Sequence, residues 1–400
     1  MRINVGLDFG TCYTKVAFFD MEMEKHYFFV FDKSKDNLGR YVFPSKLRIN
    51  SDGRIFFAAN KNMAFGGDTY YEFFKINMEN TIRTLKINDK EYDIDDYKIV
   101  ALYCSHILSK VRKYLNSKFD GPDLIFNFGI PLDHLGDNNE NRERKFKLAF
   151  NLAEMMSRDH FIENADEVLE FLPILDELER EYNKIKKEEL KVTVYPETIA
   201  GVATLLSTGS LSADVRYSIV DIGAGTTDVS FFEFTRNSIP GGKFHVYNSN
   251  TYNVGSENFV ENDVDKSIKE LRDSFRVAFG KTFSLAKEKW SNDFHLLFLG
   301  GGTRGDLREF TKNTEITIPS GNLFRNYINP TPQELYIPDN IVDCIDKEEE
   351  SWNENFDILS IAYGLSYPKM MMPKYNPQVP ERQRDVLRQT PEEPLTPDVG

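Results

Sequence analysis

Apolar and polar residues follow two different spacings along the chain. From Leu124 to Ile130 the apolar residues form a nearly continuous run that ends at Pro131, which is typical of a buried strand. From Val100 to Leu115 they recur three or four positions apart, which predicts an amphipathic helix. The same two patterns predict further strands at Tyr27–Phe31, Ile55–Ala58 and Leu296–Leu299, and further helices at Asn141–Met156, Asn258–Phe279 and Asn355–Tyr367. Strands that alternate with helices indicate an α/β fold.

The chain contains an internal repeat. The segment LDFGTCYTKVAFFD, from Leu7 to Asp20, matches VDIGAGTTDVSFFE, from Val220 to Glu233, at six of fourteen positions. Each copy predicts a buried strand that ends in an aspartate, a tight turn of small residues, and a second strand. Because the two copies lie 213 residues apart, they indicate two lobes of similar fold that face one another.

The two aspartate turns are suited to binding a nucleoside triphosphate. Small residues after the aspartate allow backbone N–H groups to approach phosphate oxygens closely. The carboxylate offers a hard oxygen to Mg²⁺, which keeps several waters and accepts one or two carboxylates. Asp8 and Asp221, one from each lobe, are therefore candidates to hold one hydrated Mg²⁺ between them.

A third glycine-rich turn follows the predicted strand at Leu296–Leu299. In the sequence LLFLGGGTRGDLREF, Gly300 to Gly302 would let a base or ribose lie against the backbone, and Arg304 could cover a ring face. The turn has neither the GxGxxG spacing of a dinucleotide fold nor the GxxxxGK[ST] spacing of a P-loop.

Composition narrows the function classes. A chain with 40% hydrophobic and 28% charged residues is typical of a globular protein. A net charge of −14 argues against direct nucleic-acid binding, because such a surface repels phosphate. Three widely spaced cysteines favour reduced thiols in the cytoplasm, and neither a secretory start nor a membrane-spanning run occurs.

Two segments stand apart from the predicted core. Glu163–Lys191 carries many charges around one apolar helical face, so it is interpreted as a solvated insert or, alternatively, as a helix that docks a partner. From Pro373 to Gly400 prolines and charges replace large apolar residues, which predicts a disordered tail.

Four motifs in order resemble the nucleotide-binding domain of DnaK-type heat-shock chaperones: DFGT, YPETIAGVATLL, VDIGAGTTDVSFF and LGGGTR. These chaperones belong to the actin-like ATPase superfamily, together with actin and sugar kinases, and the resemblance covers roughly residues 1–370. It implies a two-lobed fold of duplicated ribonuclease-H-like domains with a nucleotide cleft between them. Lobe I would span 1–197 and lobe II 198–372, with the last helix, 355–367, returning to lobe I and the tail covering 373–400.

The resemblance also implies ATP or ADP and Mg²⁺ as ligands and assigns residue roles. Asp8 and Asp221 would bind the magnesium waters, Glu197 would order the attacking water, and Lys75 would lie near the γ-phosphate. Glu197 could alternatively serve only to cap the helix that follows it. The remaining nucleotide-binding positions would be Gly10, Thr11, Cys12, Gly223, Ala224, Gly225, Thr226, Thr227, Asp228, Gly300, Gly301, Gly302, Thr303 and Arg304.

The expected function is that of a chaperone-like ATPase that works as a nucleotide-dependent conformational switch, with a protein partner or by self-association. Two departures from the chaperones are visible: only about 70 residues separate the second aspartate turn from GGGTR, and no β-rich peptide-binding domain follows. A filament-forming actin-like ATPase, for example one that segregates plasmids, and a small-molecule kinase stay open as alternatives.

Overall fold

The chain is mixed α/β, with several sheets and helices. A computed structural model describes residues 1–35, 37–59, 67–72, 78, 82–131, 140–186, 189–209, 211, 215–235, 243–252, 255–256, 266, 269–270, 273, 277, 294–301, 318–319, 327–328, 331–332, 337–338, 340–341 and 352–377. Among these residues, none forms a helix that is both long enough and apolar enough to cross a bilayer.

The strands and helices of the described residues are as follows. The strands are β1 (Arg2–Phe9), β2 (Tyr13–Asp20), β3 (Lys25–Phe28), β4 (Val42–Pro44), β5 (Leu47–Ile49), β6 (Ile55–Phe57), β7 (Thr69–Tyr71), β8 (Ile82–Ile87), β9 (Lys90–Asp95), β10 (Asp123–Ile130), β11 (Val192–Pro196), β12 (Val215–Ile222), β13 (Thr227–Thr235), β14 (Lys243–Tyr252), β15 (His295–Leu299), β16 (Ile318–Pro319), β17 (Tyr327–Ile328), β18 (Thr331–Pro332) and β19 (Lys374–Pro377). The helices are α1 (Asp96–Lys118), α2 (Glu140–Asp159), α3 (Val168–Tyr182), α4 (Glu197–Ser207) and α5 (Phe356–Leu365).

Two large sheets share one strand order. The first runs β11-β10-β1-β2-β3, with β4 also beside β2, and the second runs β18-β15-β12-β13-β14-β19. In each, three antiparallel strands that follow one another in sequence are extended by two parallel strands. The register also matches: Asp8 lies opposite Lys15 as Asp221 lies opposite Asp228. Both predicted strand-turn-strand units are therefore confirmed, and the sequence repeat is a repeat of topology.

Both faces of the first sheet are covered. Ile3, Val5 and Leu7 on β1 belong to the core that α1 and α2 complete. The alternate residues face α5, since a Cβ atom at Gly6 would lie 2.4 Å from the carbonyl oxygen of Ala362. This two-sided burial explains why β1 and β10 are nearly continuous apolar runs rather than alternating patterns.

Helices α4 and α5 lie between the two sheets. Helix α5 packs on β1 and β2 of the first sheet, and α4 packs on the second, where a Cβ atom at Gly201 would lie 3.0 Å from Leu299. The two helices touch backbone to backbone, because a Cβ atom at Gly364 would lie only 1.9 Å from the carbonyl oxygen of Ala200. The expected lobe boundary, between residues 197 and 198, falls in the first turn of α4.

Most predicted elements are confirmed with shifted ends. The strand expected at Tyr27–Phe31 is β3 and stops at Phe28, because the chain then turns so that the N–H of Phe31 donates to the carbonyl of Arg40. Of the helix expected at Asn258–Phe279, only residues 266, 269–270, 273 and 277 are described, and these are helical.

The charged insert is attached to the first core. Its helix, α3, buries Val168, Phe171 and Leu175, and the hydroxyl of Tyr97 on α1 donates to Glu179 at 2.7 Å. The helix is therefore amphipathic, as expected, with its apolar face on the body of the protein.

The predicted disordered tail begins too early. Residues 374–377 form strand β19, which pairs in parallel with β14, and Met372 and Pro373 before it are buried. The prediction from composition missed this strand, because a segment can pair with a sheet edge through its backbone without a large apolar side chain. Residues 378–400 lie outside the described part of the chain.

Candidate functional site

A cavity of about 210 Å³ opens where β1 of the first sheet and β12 of the second sheet end. Residues from both halves of the chain line it: Asp8, Gly10, Thr11, Cys12, Tyr13, Lys15, Leu38, Val42, Glu197, Asp221, Gly223, Ala224, Thr226, Asp228, Ser256, Gly300, Gly301, Ile358 and Ile361. The cavity therefore collects the two aspartate turns and the third glycine-rich turn in one place.

The two aspartate turns each bring a glycine close to the carbonyl three residues later. In the second, the N–H of Gly223 donates to the carbonyl of Thr226 at 2.8 Å and closes a four-residue turn. In the first, a Cβ atom at Gly10 would lie 2.3 Å from the carbonyl oxygen of Tyr13, so only glycine fits there; the corresponding distance from Gly223 to Thr226 is 3.1 Å. Both turns line the cavity, and small residues after the aspartate suit the close approach of a phosphate group.

Lys15 gives the cavity a cation that sequence reasoning missed. Its Nζ lies 2.8 Å from Oδ2 of Asp8, and both side chains are largely shielded from solvent. A shielded ion pair of this kind holds both groups in a fixed geometry. The repeat carries the signal that could have found it, since Lys15 occupies the position of Asp228 in the second copy.

The second copy of the repeat has an acidic residue, Asp228, at the position where the first copy has Lys15. Asp228 lies opposite Asp221 across β12 and β13, and the hydroxyl of Thr251 on β14 donates to its carboxylate. Charge in the cavity is thus uneven, with Lys15 on the side of the first sheet and two carboxylates on the side of the second.

Glu197 is the first residue of α4 and is buried. It fits beside β10 because position 129 is glycine: a Cβ atom there would lie 2.8 Å from Cγ of Glu197. The N-cap residue of the helix is Pro196, which makes no side-chain hydrogen bond to it. Glu197 itself lines the cavity. The next residue, Thr198, is hydrogen-bonded to Ser230 at 2.8 Å, which fixes the start of α4 to β13.

Gly300 packs closely against the carboxylate of Asp221. It has φ +88°, and a Cβ atom at this position would lie 2.3 Å from Oδ1 of Asp221 and 2.5 Å from the carbonyl oxygen of Ile222. Its N–H donates to the carbonyl of Asp357 at 3.3 Å, which ties the turn to the start of α5. Only glycine satisfies both the backbone conformation and the close approach.

A further segment covers the second turn. The N–H of Ser256 donates to the carbonyl of Gly223 at 2.9 Å, and a Cβ atom at Gly255 would lie 2.2 Å from the carbonyl oxygen of Ala224. This segment, Gly255–Ser256, belongs to the NVGSENF stretch and brings the Ser256 side chain to the cavity.

The first turn is supported by buried hydroxyl groups. Thr14 is hydrogen-bonded to Ser45 at 3.0 Å and to the hydroxyl of Tyr103 on α1 at 2.9 Å. The N–H of Ser45 also donates to the carbonyl of Cys12 at 2.7 Å. Burial raises the pKa of Tyr103 well above its usual value, so its hydroxyl stays neutral and can donate.

Most, but not all, of the predicted site residues meet at the cavity. Twelve of them line it: Asp8, Gly10, Thr11, Cys12, Glu197, Asp221, Gly223, Ala224, Thr226, Asp228, Gly300 and Gly301. Gly225 and Thr227 lie in or beside the second turn but do not line the cavity, and Thr227 is fully buried. Lys75, Gly302, Thr303 and Arg304 lie outside the described residues.

The cavity also has apolar walls. Leu38 and Val42 line it beside the first sheet, and Ile358 and Ile361 of α5 line it from the layer between the sheets. Sequence reasoning missed all four, because an apolar residue in a cavity wall has the same pattern as one in a core.

The carboxylates do not form a metal site by themselves. Within the described ranges, no group of three or more His, Cys, Asp or Glu side chains is close enough to hold a metal ion.

No protein-family model matches the chain, and no curated protein matches it at a significant level. The geometry of the cavity and the repeat that builds it are therefore the basis for assigning a function.

Proposed function

We propose that the protein is an Mg²⁺-dependent ATPase with a two-lobed, actin-like fold, in which two ribonuclease-H-like lobes enclose the nucleotide. In this proposal the lobes contain the two large sheets. The observation that carries it is the pair of hairpins with identical register, whose aspartates and glycine turns line one cavity. Two matched turns from opposite halves of a chain suit a triphosphate, which needs contacts along its whole length.

The phosphate groups would lie between the two turns. Thr11, Cys12 and Ala224 of the two turns line the cavity, and Lys15 supplies positive charge on the side of the first lobe. Phosphoryl transfer depends on positioning and charge neutralisation more than on covalent chemistry. Lys15 therefore fits the role of stabilising charge on the terminal phosphate, a role that the resemblance assigns to Lys75.

The residues present fit a hydrated magnesium ion. Asp8 and Asp221 would hold it through its waters, and Asp228 adds a further carboxylate nearby. The ion supplies charge neutralisation at the phosphates when bound. Gly300 leaves room for the Asp221 carboxylate, which shows how the fold fixes this acid.

Glu197 would orient the attacking water. Its carboxylate is buried at the cavity wall beside β10, on the first turn of α4. A buried acid at a helix start is held in one place by its surroundings, and a water bound to it has a defined direction. No nucleophilic side chain is required for hydrolysis.

Hydrolysis would act as a switch between two arrangements of the lobes. Helices α4 and α5 join the sheets, and the cavity contacts both lobes, so a terminal phosphate would favour the closed arrangement. In this respect the protein would be chaperone-like, with the arrangement read by a partner or by another copy.

Replacement of Asp8 tests the proposal. We expect Asp8→Ala to abolish most magnesium-dependent ATP hydrolysis, because it removes a carboxylate from the cavity and leaves Lys15 without its ion-pair partner. Asp123→Ala, at a solvent-exposed ion pair with Arg2 at the start of β10, is the control. Phosphate release is the measurement, and near-normal turnover of Asp8→Ala would refute the assignment.

Electron microscopy of the protein with Mg-ATP and with ADP separates the switch from a filament. Filaments that form only with Mg-ATP would favour the actin-like alternative, whereas a dispersed sample with normal turnover would favour the chaperone-like switch.

A further inference from the structure

The C-terminal segment crosses from one sheet to the other. Its first part is fixed to the first sheet: the hydroxyl of Ser366 is hydrogen-bonded to Nδ1 of His26 at 2.8 Å, and Nδ2 of Asn127 donates to the carbonyl of Leu365 at 2.7 Å. Its last described part, β19, belongs to the second sheet. The same short stretch of chain is therefore anchored at two places that belong to different sheets.

The two anchors differ in kind. Helix α5 is held by side chains, by backbone contacts at Gly6 and by buried aromatic rings around His26. Strand β19 is held to β14 by a four-residue parallel ladder that runs from Lys374 opposite Lys243 to Pro377 opposite Val246. Pro377 has no backbone N–H, so the ladder cannot gain a donor at its end. Within the described residues, the strand is thus held by a ladder of four residues.

The connection between the anchors is short and contains proline at both ends. Residues 368–373 form a turn in which the N–H of Met371 donates to the carbonyl of Pro368 at 2.8 Å. Six extended residues reach at most about 20 Å. If this turn opened, the strand could therefore reach the sheet edge of a neighbouring molecule while α5 stayed in place.

The edge that β19 covers is suited to adding a strand. An uncovered edge presents a row of unpaired N–H and C=O groups, which is a template for pairing with an extended segment. Here that segment is supplied by the chain itself, which pairs residues 374–377 with residues 243–246 through backbone groups. A second copy carries the same segment and fits the same edge in the same register.

We propose that the edge of β14 from Lys243 to Val246 is a site of association between two copies of this chain, which exchange their β19 strands. The exchanged arrangement keeps every ladder pair of the single molecule, so its cost comes from bringing two copies together and from opening the turn, in which Met372 and Pro373 are buried. Exchange of an identical terminal element is a low-cost route to a dimer for this reason. The proposal does not depend on nucleotide binding.

Cysteine cross-linking between two single variants tests the exchange. His245 and Asn376 are opposite one another in the β14–β19 ladder, and neighbouring strands bring Cα atoms to within the range that a disulfide spans. One full-length variant carries His245→Cys and the other carries Asn376→Cys. The two are mixed under native conditions, oxidised, and digested for mass spectrometry of the linked peptides.

Each new cysteine is on a different chain, so a 245–376 link in the mixture can form only between copies. We expect this link, in an amount that rises with protein concentration. As a control, Lys369→Cys replaces Asn376→Cys, because Lys369 is exposed and lies before the strand. The absence of a 245–376 link in the mixture, or equal linkage in the control mixture, would overturn the proposal.

Discussion

Replacement of Gly300 by alanine tests how the fold holds Asp221. The new Cβ atom would lie 2.3 Å from Oδ1 of Asp221, whereas ordinary van der Waals contact begins at 3.4 Å. The carboxylate or the turn must therefore shift by about 1 Å, and a misplacement of that size near a reacting centre can cost about 10²-fold in rate. The φ of +88° adds a strain of about 1–2 kcal/mol for a residue with a side chain.

The two effects can be separated by a second variant. Gly121 also has a positive φ, +54°, but no atom of the described residues lies within 4 Å of a Cβ atom there. We expect Gly121→Ala to lose stability by about 1–2 kcal/mol from strain alone and to keep its ATPase activity.

The assay is phosphate release at a series of Mg²⁺ concentrations, together with thermal unfolding of both variants. We expect Gly300→Ala to lose about 10²-fold in kcat/KM and to need more Mg²⁺ for half-maximal rate, because Asp221 is displaced. If Gly300→Ala is as active as the original protein while remaining folded, Asp221 is not the carboxylate that this turn positions for catalysis.

Three further predictions concern charge, pH and helix packing. Lys15→Ala should lower kcat by about 10²–10³ while Lys15→Arg retains more activity, measured by phosphate release, since one electrostatic contact has this value. Burial lowers the pKa of His26 to about 3 and that of His106 to about 4, so the folded state keeps both neutral while the unfolded state takes up protons below about 6.5. The free energy of unfolding should therefore fall as pH falls below 6.5, by about 1.4 kcal/mol per unit for each histidine, and His26→Gln should flatten this slope in urea titrations. Gly364→Val should separate α4 from α5 and lower the melting temperature more than Gly209→Val, two residues after α4, where a φ of +68° strains valine but no described atom lies within 4 Å of a Cβ atom.

The parts of the fold that the sequence predicted are the repeated hairpins and the strands and helices with a clear apolar spacing. The repeat fixed Asp8 and Asp221 at equivalent ends of equivalent hairpins, and the two-sided burial of β1 and β10 produced clear apolar runs. Local spacing was enough because these strands lie in the middle of their sheets and are covered on both faces.

The parts that it did not predict depend on contacts between distant segments. Strand β19 has no strand-like sequence pattern of its own. It forms by pairing with the edge of β14, which lies more than 120 residues earlier in the chain. Val42 and Ile358 read as ordinary core residues, although they line the cavity. Lys15 was visible in the alignment of the two copies, but its role as the partner of Asp8 required the register of β1 and β2.

The backbone contact between Gly364 and Ala200 sets a scale for motion at the cavity. Six residues separate Gly364 from Ile358, which corresponds to about 9 Å along α5 at 1.5 Å per residue. If the helices turned about this contact by about 10°, the end of α5 at the cavity would move by about 1.6 Å. That displacement exceeds the roughly 1 Å to which reacting groups are sensitive. A small tilt about this backbone contact would therefore move the cavity wall at Ile358 by more than that distance.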